Sequence, residues 1–193
     1  MDLKLTNFSA KYKFVWIAPQ RCATQTVSKI LSLYDCRYNG RIINNPFIET
    51  KQLYTNNIPE INVVEGYDIL ISCRNPYART YSIFKNLFTH SFLKDKESFT
   101  KFCYDGINWS GLKEVITKPN KIDASFIKLR TEYLLDDLSQ VPFIFEKLTT
   151  NQLKFMVEIP KPLNDWERFY TSETKKIIYK LTESQFEMFG YEK

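Results

Sequence analysis

An α/β fold, a parallel sheet flanked by helices, is predicted from three observations on the sequence. Residues 14–18 and 68–73 are short apolar runs with the length and composition of buried strands. Each is followed at once by a polar turn and then by apolar residues at helical spacing. The order strand, turn, helix recurs near residues 124–138, which is how parallel strands with helical crossovers read.

The elements follow in order. Phe14-Val-Trp-Ile-Ala18 is the first strand, and Pro19-Gln-Arg-Cys-Ala-Thr-Gln-Thr26 follows it. A helix should start within that loop, because Val27, Ile30, Leu31 and Tyr34 place one apolar stripe on it. Residues 35–63 are polar and rich in Asn, are punctuated by Pro46 and Pro59, and suggest no element. Asp68-Ile-Leu-Ile-Ser-Cys73 is the second strand and runs into Arg74-Asn-Pro-Tyr-Ala-Arg-Thr-Tyr-Ser82. Asn75-Pro76 marks a turn, proline suits a first helical position, and Tyr77, Tyr81, Phe84 and Phe88 form the next stripe. A third strand is expected at 124–129 and a helix at 132–138, while 141–146 are compatible with a further short strand. Residues 159–170 are Pro-rich and read as loop. Ser172 is the expected N-cap of a last helix carrying Ile177, Ile178, Leu181 and Phe186.

With 193 residues the chain is expected to form a single domain over 1–193. Hydrophobic residues at 44% and charged residues at 25% exclude a disordered or collagen-like chain. The formal charge of +5 suits an anionic ligand, but a solvated lysine-rich surface gives the same excess, and the basic residues are too dispersed to indicate nucleic acid. Cys22, Cys36, Cys73 and Cys103 form no CxxC, and with His90 as the one histidine no zinc-ligand spacing exists. They read as reduced thiols, some buried. No apolar stretch has signal-peptide or membrane-span length, so the expectation is a cytoplasmic protein. Without a secretion signal, the Asn-x-Ser sequons at Asn7 and Asn108 read as incidental.

Two cationic loops carry the chemistry. Loops that follow parallel strands lie at one sheet edge, where ligands bind. A helix N-terminus adds free N–H groups and a positive dipole end that favour phosphate. The first loop contributes Arg21, Thr24, Gln25 and Thr26, and the second Arg74, Arg79 and Ser82. Together they suit a ligand with two separate anionic groups. The first loop lacks glycine altogether, so it is not the GxxxxGK[ST] loop of magnesium-dependent nucleotide hydrolysis. Either loop alone is equally an ordinary strand-to-helix turn with surface arginines. The pair in this order is more specific.

The 19–26 segment resembles the 5′-phosphosulfate loop of sulfotransferases that use 3′-phosphoadenosine 5′-phosphosulfate (PAPS). Arg74-Asn-Pro-Tyr-Ala-Arg-Thr-Tyr-Ser82 resembles their 3′-phosphate motif, and Arg79 brings it closer to the carbohydrate, Golgi-type enzymes than to the phenol and steroid ones. Phe126-Ile-Lys-Leu-Arg-Thr-Glu-Tyr-Leu-Leu-Asp-Asp-Leu138 is similar to the family's strand and acidic helix, and the tail from Pro162 to Tyr191 is similar to its closing helix and Phe-Gly-Tyr ending. The similarity runs from 14 to 191 and is thin at 35–66 and 92–120. Arg21 stands where lysine is usual, as in tyrosylprotein sulfotransferases, and Ala23 where glycine or another small residue is usual.

The resemblance implies a minimal P-loop-like sulfotransferase fold, PAPS as sulfuryl donor, no metal, and a small-molecule or glycan acceptor. It implies that Arg21, Cys22, Ala23, Thr24, Gln25 and Thr26 hold the 5′ end, that Arg74 and Ser82 hold the 3′-phosphate, and that Arg79 assists or braces. Two residues are candidates for the base that takes the acceptor proton. Glu49, in Asn44-Asn-Pro-Phe-Ile-Glu49, resembles the glutamate of heparan sulfotransferases, and His90 has the better intrinsic pKa. Glu49 reads equally as an exposed loop carboxylate, and His90, which matches no family histidine, reads first as a surface histidine. Glu132 is expected to brace the site. The other readings are a nucleotide-dependent transferase such as a small kinase, and a non-catalytic binder of sulfated or phosphorylated polyanions.

Overall fold

The computed structural model describes residues 7–38, 41–42, 66–88, 95–105, 116, 125–157 and 165–192. The chain, expected as one domain, divides into two compact units, Met1–Cys73 with Ile122–Pro160, and Arg74–Lys121 with Lys161–Lys193.

The first unit holds the sheet. Its described strands are β1 (Phe8–Ser9), β2 (Phe14–Ile17), β3 (Arg37–Tyr38), β4 (Arg41–Ile42), β5 (Asp68–Cys73) and β6 (Ile127–Arg130), in the order β4-β3-β1-β2-β5-β6. β2, β5 and β6 are parallel, with Phe14 opposite Asp68, Ile17 opposite Ile71, and Cys73 opposite Arg130. The sheet is nevertheless mixed, which corrects the expectation of a parallel one. β1 pairs antiparallel with β2 and β3, and β3 with β4. The cause is connection length: the few residues from Ser9 to Phe14, with Lys13 at φ 49°, allow only a hairpin. The third strand is shorter and later than expected, because it begins where it meets Leu70 of β5.

One sheet face presents Phe14, Trp16, Leu70 and Leu129. Against it pack Val27, Ile30 and Leu31 of α1 (Thr24–Ser32), Leu134 and Leu138 of α4 (Leu134–Ser139), and Leu153 of α5 (Thr150–Val157). The Trp16 indole N–H donates to Ser72 Oγ at 2.9 Å, which accounts for a serine within the apolar run of β5. Residues 141–146 are not a strand. Ile144 N donates to Val141 O and Glu146 N to Phe143 O, so the segment closes on itself as a 3₁₀ turn. The Ile144 carbonyl in turn accepts the Tyr34 hydroxyl, and Phe143 stacks on Phe14 at 4.8 Å. Asn7 is 2% exposed and donates to Trp16 O, so its sequon belongs to the interior of this unit. Asn108 lies outside the described residues.

The second unit contains α2 (Pro76–Leu87), α3 (Lys96–Tyr104) and α6 (Ser172–Phe189). The first and last helices were expected; α3 was not. Tyr77, Tyr81 and Phe84 of α2 meet Phe99 and Phe102 of α3, and Ile178 and Phe186 of α6. The buried Tyr170 hydroxyl donates to Tyr77 O at 2.9 Å. The N-cap of α6 is Thr171 rather than Ser172: its Oγ1 accepts from Thr174 N, and Thr174 Oγ1 accepts from Thr171 N. The helix ends at Gly190, whose φ of 71° is the left-handed conformation glycine tolerates best. Among the described residues no helix is long and apolar enough to cross a membrane.

Candidate functional site

The first cationic loop leaves the carboxyl end of β2. Arg21 is exposed at φ 64°, and Ala23 forms the N-cap of α1 at φ 52° and ψ 27°. Left-handed backbone costs an L-residue about 1–2 kcal/mol, so two such residues in one short turn are a local strain of the kind found at ligand-binding loops. A left-handed residue followed by helical ones also turns successive N–H groups toward a common point, which makes a concavity for an anion. No side chain caps α1, and its first turn has no acidic residue. Among the described residues its leading N–H groups therefore have no side-chain cap, and the first turn carries no acidic residue to offset the positive dipole end. Thr24 Oγ1 instead donates to Pro19 O at 3.3 Å and ties the helix start to the loop. Gln25 is exposed, and Thr24 and Thr26 are half-buried. Cys22 is 1% exposed, with its thiol donating to Gln20 O. Cys22 can thus contribute its backbone to a ligand, while its side chain is structural.

The second loop is built differently. Arg74 follows β5 directly and is half-buried. Asn75 caps α2, accepting from Tyr77 N at 3.0 Å and Ala78 N at 3.4 Å, and Pro76 fills the first turn. The leading amides of this helix are already engaged, so recognition here falls to side chains. Arg79 is 3% exposed; its Nη1 donates to Gln185 Oε1 at 3.2 Å and to Ile116 O at 3.3 Å. Gln185 Nε2 donates to the same Ile116 carbonyl at 2.8 Å. Of the two roles expected for Arg79, this arrangement is a brace joining α2 to α6. Ser82 lies in the same buried stretch, 1% exposed. Glu49 and His90 lie outside the described residues.

What connects the two loops in the sequence with the fold is the sheet of the first unit. β2 and β5 are adjacent, parallel and in register, so the strands that feed the loops end at the same edge. β6 ends there too, and its exit carries residues that sequence reading missed. Thr131 Oγ1 donates to Cys73 O at 2.9 Å, fastening this exit to the last residue of β5. Asp137, 3% exposed, accepts from Arg130 N at 2.7 Å, Nε at 3.0 Å and Nη2 at 2.7 Å. The Arg130 guanidinium lies 4.7 Å from the Tyr133 ring. Glu132 is exposed, and Asp137 is a carboxylate that braces this segment.

All four cysteines are buried and none is in a disulfide. Burial pushes the Cys36 and Cys103 thiols up to about 12, so neither supplies a thiolate nucleophile near neutral pH. Tyr34 is likewise pushed up to about 12, first by burial and then by its neighbour Tyr12.

Compared with models of known protein families, with curated proteins and with solved structures, the chain matches none.

Proposed function

We propose that the chain is a sulfotransferase that moves a sulfuryl group from PAPS to an acceptor hydroxyl or amine, on a P-loop-like sulfotransferase fold. The observation that carries this reading is the common exit edge of β2 and β5, each leading straight into an arginine-bearing turn and a helix start. The strained, uncapped start of α1 supports it further, because that backbone is suited to an anion.

In this reading the 5′ end of the donor lies at residues 21–26, with the Arg21 fork and the leading amides of α1 as donors. Arg74 and Ser82 take the 3′-phosphate, and Arg79 braces α2. The acceptor oxygen or nitrogen attacks sulfur, the bond from sulfur to the 5′-phosphate oxygen breaks, and that oxygen keeps the electron pair. Cations and amides fixed around the leaving oxygen stabilise the charge it gains, and one such donor contributes on the order of 100- to 1000-fold in rate. The acceptor proton passes to a base, for which Glu49 and His90 are the candidates. A glycan is the acceptor class suggested by likeness to the carbohydrate enzymes.

Calorimetric titration with adenosine 3′,5′-bisphosphate, without magnesium, tests this. The wild-type chain should bind, and Arg74→Ala should weaken binding roughly 10- to 100-fold, the value of a charge-assisted hydrogen bond. Nucleotide binding that requires magnesium would favour a kinase. Strongly salt-dependent polyanion binding without nucleotide affinity would favour the binder.

A further inference from the structure

Tyr133 closes the 3₁₀ turn Thr131–Tyr133 that leaves β6, and it is 52% exposed. Exposure alone is ordinary for a single aromatic residue; what sets Tyr133 apart is how it is held and where. The Arg130 guanidinium lies over its ring, 4.7 Å from the centroid. That guanidinium donates to the buried Asp137 through Nε at 3.0 Å and Nη2 at 2.7 Å, and the Arg130 N–H donates to the same carboxylate at 2.7 Å. One ring face is therefore seated on a cation that is itself fixed, so little rotamer freedom is left for a ligand to remove. Among the described residues no second ring and no hydrogen-bond partner meets Tyr133, which leaves its other face and its hydroxyl to a ligand.

The place of the ring follows from the sheet. β2, β5 and β6 are parallel neighbours, with Ile17 level with Ile71 and Arg130 level with Cys73. The exits of β2 and β6 therefore lie two strand spacings apart, about 10 Å, at one edge of the sheet. Thr131 Oγ1 donates to Cys73 O and fastens the β6 exit there. The 19–26 loop, β6 and Tyr133 all belong to the first unit. Phe145, another exposed aromatic residue of this unit, lies at the opposite end: it follows Ile144, whose carbonyl accepts the hydroxyl of Tyr34, and the Tyr34 ring meets Tyr12 just ahead of β2.

We propose that Tyr133 is an acceptor-binding residue, the platform on which a sugar ring of the acceptor stacks. The inference rests on the PAPS reading, which puts the sulfuryl group at the 19–26 loop, and adds an acceptor contact that the motifs do not contain. The attacking oxygen must come within about 3–3.5 Å of sulfur, so the ring that bears it, or the next ring of the chain, falls within reach of the β6 exit. A pyranose suits a single open aromatic face: its C–H face packs on the ring while its hydroxyls stay in water or meet the tyrosine O–H. A planar aromatic acceptor is better held between apolar walls on both faces, and among the described residues no second ring faces Tyr133. A different explanation is a ring that only shields the Arg130–Asp137 pair from water. The two explanations differ in what they predict for ligands.

The test is calorimetry on the full chain with two ligands: adenosine 3′,5′-bisphosphate, and then an unsulfated oligosaccharide of alternating hexosamine and uronate added to the bisphosphate-saturated chain. The wild-type chain should bind both. Tyr133→Ala should lose roughly 10-fold in oligosaccharide affinity, the upper end for one aromatic contact, and less than about 2-fold for the bisphosphate. Tyr133→Phe keeps the ring and should stay within about 3-fold. Tyr133→Leu keeps apolar cover over Arg130 but not the aromatic face, so it should lose as much as Tyr133→Ala even where it restores thermal stability. Phe145→Ala, the same deletion at the far end of the unit, should leave both affinities within about 2-fold. Unchanged oligosaccharide affinity in Tyr133→Ala, or full affinity in Tyr133→Leu, would overturn the platform and leave the PAPS reading standing. So would a wild-type chain that binds the bisphosphate but not the oligosaccharide. Equal losses for both ligands would overturn the acceptor assignment. A wild-type chain that binds neither would overturn the PAPS reading, and this inference with it.

Discussion

Replacing Ala23 with glycine isolates the backbone strain of the first loop. Ala23 holds φ 52° and ψ 27°, where an L-residue's Cβ crowds the following carbonyl at a cost of about 1–2 kcal/mol. Glycine removes that cost and also ranks above alanine at an N-cap. Two effects oppose the gain. The glycine chain is freer when unfolded, which costs about 0.4–1 kcal/mol. The Ala23 methyl also packs, partly buried, against the first unit's core, so its loss costs about half of the ~0.8 kcal/mol of a fully buried CH₂. Middle values leave a net gain of about 0.5 kcal/mol, or a melting temperature about 1–2 °C higher. The control is Ala78→Gly, at a helical position 3% exposed. There glycine loses about 1 kcal/mol of helix propensity and about 0.8 kcal/mol of methyl burial, lowering the melting temperature by about 4–8 °C. Thermal and urea unfolding of both variants reads the contrast in sign. A loss at Ala23 as large as that at Ala78 would refute the left-handed cap, and with it the backbone strain on which the anion-binding proposal draws.

The remaining predictions concern the rest of the scaffold. Asp137→Ala removes the carboxylate that accepts from the Arg130 guanidinium and backbone N–H and should cost about 3 kcal/mol in urea unfolding; a loss below about 0.5 kcal/mol, the size of an ordinary surface substitution, would show that the pair does not hold the β6 exit. Burial raises Cys36 and Cys103 from the usual 9.0 to about 12, so the unfolded chain loses these protons first. The stability that depends on them is complete below about pH 9 and falls toward pH 12, by about 1.4 kcal/mol per pH unit for each thiol. Urea midpoints that stay flat from pH 8 to 11, or a slope unchanged in Cys36→Ala, would contradict this.

The parts of the fold legible in the sequence are those where one periodicity acts alone. Asp68–Cys73 has an unbroken apolar centre at Ile69, Leu70 and Ile71, and the helices starting at Thr24 and Pro76 each carry one apolar stripe, so strand and helix signals do not compete. Residues 141–146 mislead for a physical reason. Val141 and Phe143 are buried while Pro142 and Phe145 are exposed, an alternation that mimics a strand, but Ile144 is buried as well and local hydrogen bonds win. α5 was missed although its signal was present. Thr149 and Gln152 form a reciprocal cap, with Thr149 Oγ1 accepting from Gln152 N and Gln152 Oε1 accepting from Thr149 N. α3 likewise starts at Asp95, whose carboxylate accepts from Ser98 N at 2.7 Å. β1 is two residues long, too short for any periodicity to register.

The candidate site divides along the same line, and the division has a chemical consequence. Residue types named the arginines of both loops, but backbone conformation separates the loops into two kinds of donor. The loop before α1 leaves its amides without a side-chain cap and places left-handed residues at Arg21 and Ala23, so much of its affinity for an anion would reside in N–H groups that no side-chain substitution removes. The loop before α2 has its first amides taken by Asn75, so any affinity for an anion would have to come from side chains. Substitutions at Arg74 should therefore weaken ligand binding more than equivalent ones at Arg21, although a motif comparison ranks both alike. The same logic explains how Arg79 could be assigned to a phosphate from the sequence yet serve as a brace. A guanidinium's fixed fork of donors satisfies a carbonyl and an amide oxygen as readily as a phosphate, and only the positions of Ile116 and Gln185, far away in the chain, decide which it meets.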